Sequence, residues 1–193
     1  MKIIIGYLFL ISCIIVIFLQ GVHPAWSGHL ITDLFFYRER SLGNFTHNEY
    51  QPGALVFFSF LGNFDGNQTL DNFRINLFLV NTALLLLTAF LIYKMTRWEN
   101  LIIFGLVVFF AGPIILYRFE TLVLLLTISS IYYFNKGSPA VSGIFLALAT
   151  MVKVYPIIYL PYYIITLYKR RQIKNLFSHL FVFIATAFGF LAF

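Results

Sequence analysis

Residues 101–134 read LIIFGLVVFFAGPIILYRFETLVLLLTISSIYYF, and their reading decides the class of fold. Charge enters this apolar stretch only at Arg118 and Glu120. As one helix rising about 1.5 Å per residue it would be about 50 Å long, well beyond a hydrocarbon core of about 30 Å. It therefore forms two membrane segments. The break belongs at Gly112, Pro113 and Arg118, where a flexible residue, a ring without an N–H and a charge interrupt the run.

The rest of the chain has the same character. Hydrophobic residues make up 61% and charged residues 10%, whereas a soluble domain spends about a quarter of its residues on charge. Most of the exterior must then face lipid. Aromatic residues at 20% exclude disorder, which requires few of them. Runs that approach the roughly 20 residues needed to cross a bilayer begin near Ile3, Phe73, Leu101, Phe119, Ala140, Pro156 and Leu176. The expectation is an all-α, polytopic integral membrane bundle of about seven spans. The first run starts after Lys2 like a signal peptide. It outlasts the usual apolar region and ends in Gln20, Gly21, Val22, His23 and Pro24 without a small-residue cleavage site, so a retained helix is expected. Cys13, the single cysteine, has no partner for an intrachain disulfide or a cysteine metal site.

Residues 138–168 admit two readings, one proline-kinked helix or two shorter segments meeting near Lys153. Loop charge separates them. A single helix would carry Lys169, Arg170, Arg171 and Lys174 to the outer face, whereas two segments return them to the cytoplasmic face, where Lys and Arg collect. Pro156 and Pro161 interrupt the ladder, and irregular backbone at membrane depth is tolerated where it lines a cavity. A protein-lined cavity is expected beside Lys153.

With the N-terminus inside, every charge can be assigned a side. Lys2, Lys94, Arg97, Lys136, Lys169, Arg170, Arg171 and Lys174 fall on the cytoplasmic face against Glu99 alone. Arg38, Arg40, Arg74, Arg118 and Lys153 fall outside, against Asp33, Glu39, Glu49, Asp65, Asp71 and Glu120. The net charge of +6 thus reports orientation, not a nucleic-acid partner. One long outer connection, residues 20–72, interrupts an otherwise single membrane domain over residues 1–193, and it is expected to carry short amphipathic helices. Within it GALVFFSFL at 53–61 is too short to span and reads as an interfacial helix. Asn44-Phe45-Thr46 and Asn67-Gln68-Thr69 match the glycosylation acceptor pattern, which carries meaning only for a eukaryotic source.

Ionisable groups at membrane depth are costly, so Arg118, Glu120 and Lys153 are candidate site residues, with snorkelling to the nearby surface as the alternative. Glu120 has a second bland reading, an ion pair that neutralises Arg118 or Lys153. Two cations at the outer boundary suit a phosphate, which Arg binds bidentately and Lys as a point charge. Asp33, near Arg38, Glu39 and Arg40, supplies a carboxylate able to take a proton from an attacking hydroxyl. Its alternative is a cap or first-turn acid for a helix running into Leu34, Phe35, Phe36 and Tyr37. His23, His29 and His47 lack metal-ligand spacing, and P-loop, Rossmann and GxSxG patterns are absent.

Several of these pieces fall in a familiar order: Thr32-Asp33-x3-Tyr37, Tyr50-Gln51-Pro52-Gly53-Ala54-Leu55, Arg118-x-Glu120, GIFLALA at 143–149, and Lys153-Val154-Tyr155-Pro156. The set resembles the GT-C glycosyltransferases, and most closely the bacterial polyprenyl-phosphate-mannose-dependent mannosyltransferases. Two positions depart from that pattern. Glu120 stands where relatives often have Asp, and Gln51-Pro52 where they often have a Pro-Pro pair. Members of the family are usually longer, so the chain is expected to be the N-terminal part of a longer module.

The resemblance implies a GT-C-like fold with a long first extracytoplasmic loop in a multi-pass protein of the bacterial plasma membrane. It implies Asp33 as general base on the acceptor hydroxyl, with Arg118 and Lys153 on the lipid phosphate of the donor. Tyr50 and Pro52 would shape the outer cavity, and Arg38 and Glu120 complete the substrate-binding candidates. The expected partners are a polyprenyl-phosphate sugar, a glycan or lipid acceptor and membrane lipids. No cofactor is required, although a divalent cation held by Asp33 and Glu120 is compatible with the same chemistry. The competing readings are a polytopic transporter or flippase, with Arg118, Glu120 and Lys153 along its path, and a non-catalytic assembly subunit.

Overall fold

The computed structural model describes residues 2–22, 24–43, 50–63 and 69–191, with only the backbone of residues 22, 24–32 and 191 described. The expectations attached to the side chains of His23 and His29, and to Asn44, His47, Glu49, Asp65 and Asn67, lie outside the described residues. Ten α-helices and one 3-10 turn make up the described elements: α1 (Lys2–Val22), α2 (Pro24–Ser41), α3 (Pro52–Gly62), α4 (Leu70–Met95), α5 (Glu99–Ala111), α6 (Ile114–Tyr117), α7 (Glu120–Asn135), α8 (Pro139–Val152), the 3-10 turn (Tyr155–Ile158), α9 (Tyr159–Lys169) and α10 (Ile173–Leu191). Among the described residues there is no strand. Three helices are long and apolar enough to cross a bilayer, over Lys2–Gly21, Leu70–Met95 and Ile173–Phe190. The apolar helices α3, α5 and α8 are shorter; α8, at about 21 Å, falls short of a core of about 30 Å.

The chain divides into two compact units. The first comprises Met1–His47 and Phe57–Thr121, the second Asn48–Val56 and Leu122–Phe193.

In the first unit α1 packs along α5 and buries Leu10, Ile14 and Ile17. Thr69 opens α4 as a cap, its Oγ1 accepting the Asn72 N–H at 3.2 Å, and Asp71 adds negative charge to the first turn where the helix dipole favours it. Phe73, Leu77, Asn81, Leu85 and Thr88 recur at helical spacing as the buried stripe of α4. An amide therefore sits in the middle of the stripe, between Leu77 and Leu85. The break expected at 112–118 is present. α5 ends at Gly112, whose φ of +63° places it in the left-handed region, Pro113 follows, and α6 makes a single turn before Arg118 extends the chain. Charge is sorted by end within this unit. Lys2 lies over the Trp98 ring at 5.9 Å, bringing the start of α1 to Lys94, Arg97 and Glu99, while Arg74 Nη2 donates to Gly21 O at 2.6 Å at the other end.

In the second unit α8 and α9 form a hairpin broken at Lys153. α8 stops at Val152, Lys153 is extended at φ −149° and ψ 140°, and the 3-10 turn carries buried Pro156 before α9 resumes. The two short segments expected on either side of Lys153 are thus present. Phe134 of α7, Leu146 and Ala147 of α8, Tyr163 and Leu167 of α9 and Phe183 of α10 share one core. That packing gathers Lys136, Lys169, Arg170, Arg171 and Lys174 at one end of the unit.

The expected long loop holds more helix than its composition advertised. α2 runs for 18 residues through a mixed, partly polar stretch, and α3 covers the 53–61 segment read as a short helix.

Candidate active site at the helix break of the first unit

Asp33 lies well inside α2, not at its start, so the alternative of a cap or first-turn acid does not hold. One turn later Tyr37 is buried, its ring stacked on Phe58 at 4.8 Å and edge-on to Phe119 at 5.5 Å. Phe58 and Phe119 also meet, at 5.4 Å. This aromatic triple fixes the C-terminal half of α2 against the residue that follows Arg118. The spacing Asp33-x3-Tyr37 therefore has a physical reason: at i and i+4 the tyrosine anchors the helix while the carboxylate faces the break.

Across the break Arg118 meets Asp33 through two nitrogens. Nε donates to Asp33 Oδ2 at 2.8 Å, and Nη2 donates to the same oxygen. Among the described residues, Oδ1 receives no hydrogen bond, so one carboxylate oxygen is committed and the other is not. The side chains of Arg118 and Asp33 keep 39% and 28% of their surface, which makes the pair an open one. Burial by itself would lower the Arg118 pKa. The hydrogen bond and charge of Asp33 outweigh that, with further support from Tyr37 and Glu120, and hold it above the ordinary arginine value. Arg118 is accordingly a permanent cation here.

The backbone that carries Arg118 is held from α4. Asn81 is fully buried, and its Nδ2 donates to the carbonyls of Leu116 and Arg118, each at 2.7 Å. Its Oδ1 accepts from the Thr121 hydroxyl. Two turns earlier on α4, Arg74 lies over the Tyr117 ring at 5.1 Å. Asn81 was not singled out from the sequence. The signal was available: a lone amide within LVNTALLLL, at a depth where an unpaired polar group is expensive.

The other expected site residues separate. Glu120 opens α7, where the helix dipole favours a carboxylate, and its charge acts on Arg118. Arg38 Nη1 reaches its neighbour Glu39 at 3.2 Å on the last turn of α2. Tyr50 and Lys153 belong to the second unit, where their two motifs come together. A Cβ at Gly53 would lie 2.9 Å from the backbone of Met151 and Val152, so only glycine lets the start of α3 approach the end of α8 one residue before Lys153. The Tyr50–Leu55 and Lys153–Pro156 pieces are thus neighbours in space, as the Asp33–Tyr37 and Arg118–Glu120 pieces are in the first unit.

No curated protein and no solved structure matches the chain. The profile of glycosyltransferase family 87 matches residues 48–193, a stretch that includes Tyr50, Arg118, Glu120 and Lys153 and begins after Asp33 and Arg38. The all-helical architecture, the membrane-length apolar helices and this match over most of the sequence agree: the chain belongs to glycosyltransferase family 87, a GT-C-type family of membrane glycosyltransferases.

Proposed function

We propose that this protein transfers a sugar, mannose in the first instance, from a polyprenyl-phosphate donor to an acceptor hydroxyl of a glycan or lipid. The reaction face is extracytoplasmic, in a bacterial plasma membrane crossed about seven times if α5, α7, α8 and α9 count as membrane segments beside the three long helices. The observation that carries the reading is the open Asp33–Arg118 pair, a carboxylate oriented through one oxygen and available at the other.

In the proposed reaction Asp33 Oδ1 accepts the proton of the acceptor hydroxyl as that oxygen attacks the anomeric carbon. The bond from the anomeric carbon to the phosphate oxygen breaks, and its electron pair leaves with the lipid phosphate. A single displacement of this kind inverts the anomeric configuration. Arg118 orients the base, since Nε and Nη2 are engaged with it, and presents Nη1 as its remaining edge. Lys153, a cation in an extended break between two membrane helices, is assigned to the charge of the leaving phosphate. Tyr50 and Pro52 are assigned to the wall of the acceptor cavity, and Arg38 and Glu120 to substrate contacts.

The test is glycoside formation by the protein reconstituted in liposomes with a panel of polyprenyl-phosphate sugars. A glycoside of inverted configuration, formed fastest from the mannosyl donor, supports the proposal. Accumulation of labelled solute without a glycoside would instead make the protein a transporter.

A further inference from the structure

The geometry points to Asn81 as a positioning residue for the Asp33–Arg118 pair, an inference that rests on the reaction proposed above for its catalytic consequence. The argument starts from the helix break. α6 ends at Tyr117, Arg118 is extended at φ −125° and ψ 169°, and α7 begins at Glu120. Such a break leaves carbonyls outside the helical ladder, and in an apolar setting each must find another donor. The Asn81 amide answers two of them, Leu116 O and Arg118 O, with both of its N–H groups. Its oxygen takes the Thr121 hydroxyl from the first turn of α7.

These three bonds bracket Arg118. One lies two residues before it, one on its own carbonyl and one three residues after it, and all end on a single side chain in the buried stripe of α4. The Arg118 peptide therefore has a fixed height and rotation relative to α4. The guanidinium reaches Asp33 from that fixed base, and it engages Oδ2 through two nitrogens at once, a contact that tolerates little displacement of the arginine backbone. Tyr117, clamped beneath Arg74, secures the side of the break away from α7. Asn81 itself makes none of its bonds to the carboxylate, so its effect on chemistry passes through Arg118.

The experiment compares Asn81→Asp, Asn81→Leu and Thr121→Val, alone and combined with Asp33→Asn or Arg118→Gln, in the reconstituted protein. Asn81→Asp is nearly isosteric and retains the acceptor for Thr121, but it loses both donors to the break. Expected is a fall in kcat of about 30- to 100-fold with the donor KM within about threefold of wild type, as for a misplaced catalytic group. In the Asp33→Asn or Arg118→Gln background the same substitution should cost nothing further. Thr121→Val, the mildest change, should lower kcat by a few-fold, and it serves if the Asn81 variants yield no monodisperse protein. Wild-type kcat in Asn81→Asp, or a loss that multiplies fully with Arg118→Gln, would overturn the inference.

A second readout does not depend on turnover. The melting shifts of detergent-solubilised Asn81→Leu, Thr121→Val and the double variant should be non-additive, because each single change removes the same buried bond that ties α4 to the break. Additive melting shifts would overturn the positioning role. Non-additive melting together with full activity in Asp33→Asn would leave that role standing and remove the reaction proposed for the pair.

Discussion

Both units bring polar side chains into an apolar helical setting, and they do so in opposite ways. In the first, Asp33 and Arg118 are charged, partly open and unequally satisfied, with one carboxylate oxygen committed and the other not. In the second, Ser130, Ser142, Tyr163 and His179 are neutral or aromatic and fully or almost fully buried. Ser130 donates to Ser142 O at 3.0 Å and lies 3.2 Å from the Tyr163 hydroxyl, while His179 Nδ1 sits 2.8 Å from Pro139 O. Tyr163 stacks on Phe134 with ring centroids 4.3 Å apart. The second arrangement ties four helices together, as polar contacts between membrane helices do. The first carries a partly exposed charge pair, and such a pair contributes little as glue. Polarity in the two units therefore differs in charge and exposure, a partly exposed ion pair in the first and buried contacts between helices in the second.

Substitutions in the two regions should accordingly move different quantities. The largest effect belongs to Arg118→Leu. It leaves Asp33 in place without its holder and should lower turnover by about 100-fold while the melting temperature changes little, since open ion pairs stabilise weakly. A comparable loss of melting temperature would make the pair structural and erase the contrast. Gly53→Ala comes next. The added Cβ meets backbone at 2.9 Å beside the Lys153 break, so a loss of about 1–3 kcal/mol is expected in denaturation, accompanied by reduced turnover. An unchanged Gly53→Ala would show that the approach of α3 to α8 is looser than its geometry. Smallest is Tyr163→Phe, which removes one hydroxyl from the buried network and should cost about 1 kcal/mol of stability with turnover per folded molecule intact. A selective fall in turnover there would move the second region into the chemistry.

What was legible in the sequence was whatever local composition encodes. The helix break at Gly112 and Pro113, the second break at Lys153 and Pro156, the short helix over 53–61 and the sorting of charge by end in the first unit all follow from hydropathy, proline and charge within a few residues. The site was legible as residue types in order, and two of them, Asp33 and Arg118, proved to be partners. Asn81 escaped because its meaning lies in residues 35 to 40 positions away along the chain. No periodicity in α4 announces that an amide is needed there, since the need arises only once the broken α6–α7 segment packs on it. The extent of α2 escaped for a related reason: Pro24, Gly28 and scattered polar residues blur its pattern, and the aromatic contacts of Tyr37 contribute what helix propensity does not.

The central claim is that Asp33 accepts the proton of the acceptor hydroxyl. The direct measurement is the initial rate of glycoside formation from polyprenyl-phosphate mannose by Asp33→Asn, compared with wild type at equal amounts of monodisperse protein. The substitution keeps the shape of the side chain and removes the base, so the account predicts a loss of about 10²- to 10⁴-fold with an unfolding temperature close to that of the parent. A rate equal to wild type would contradict it.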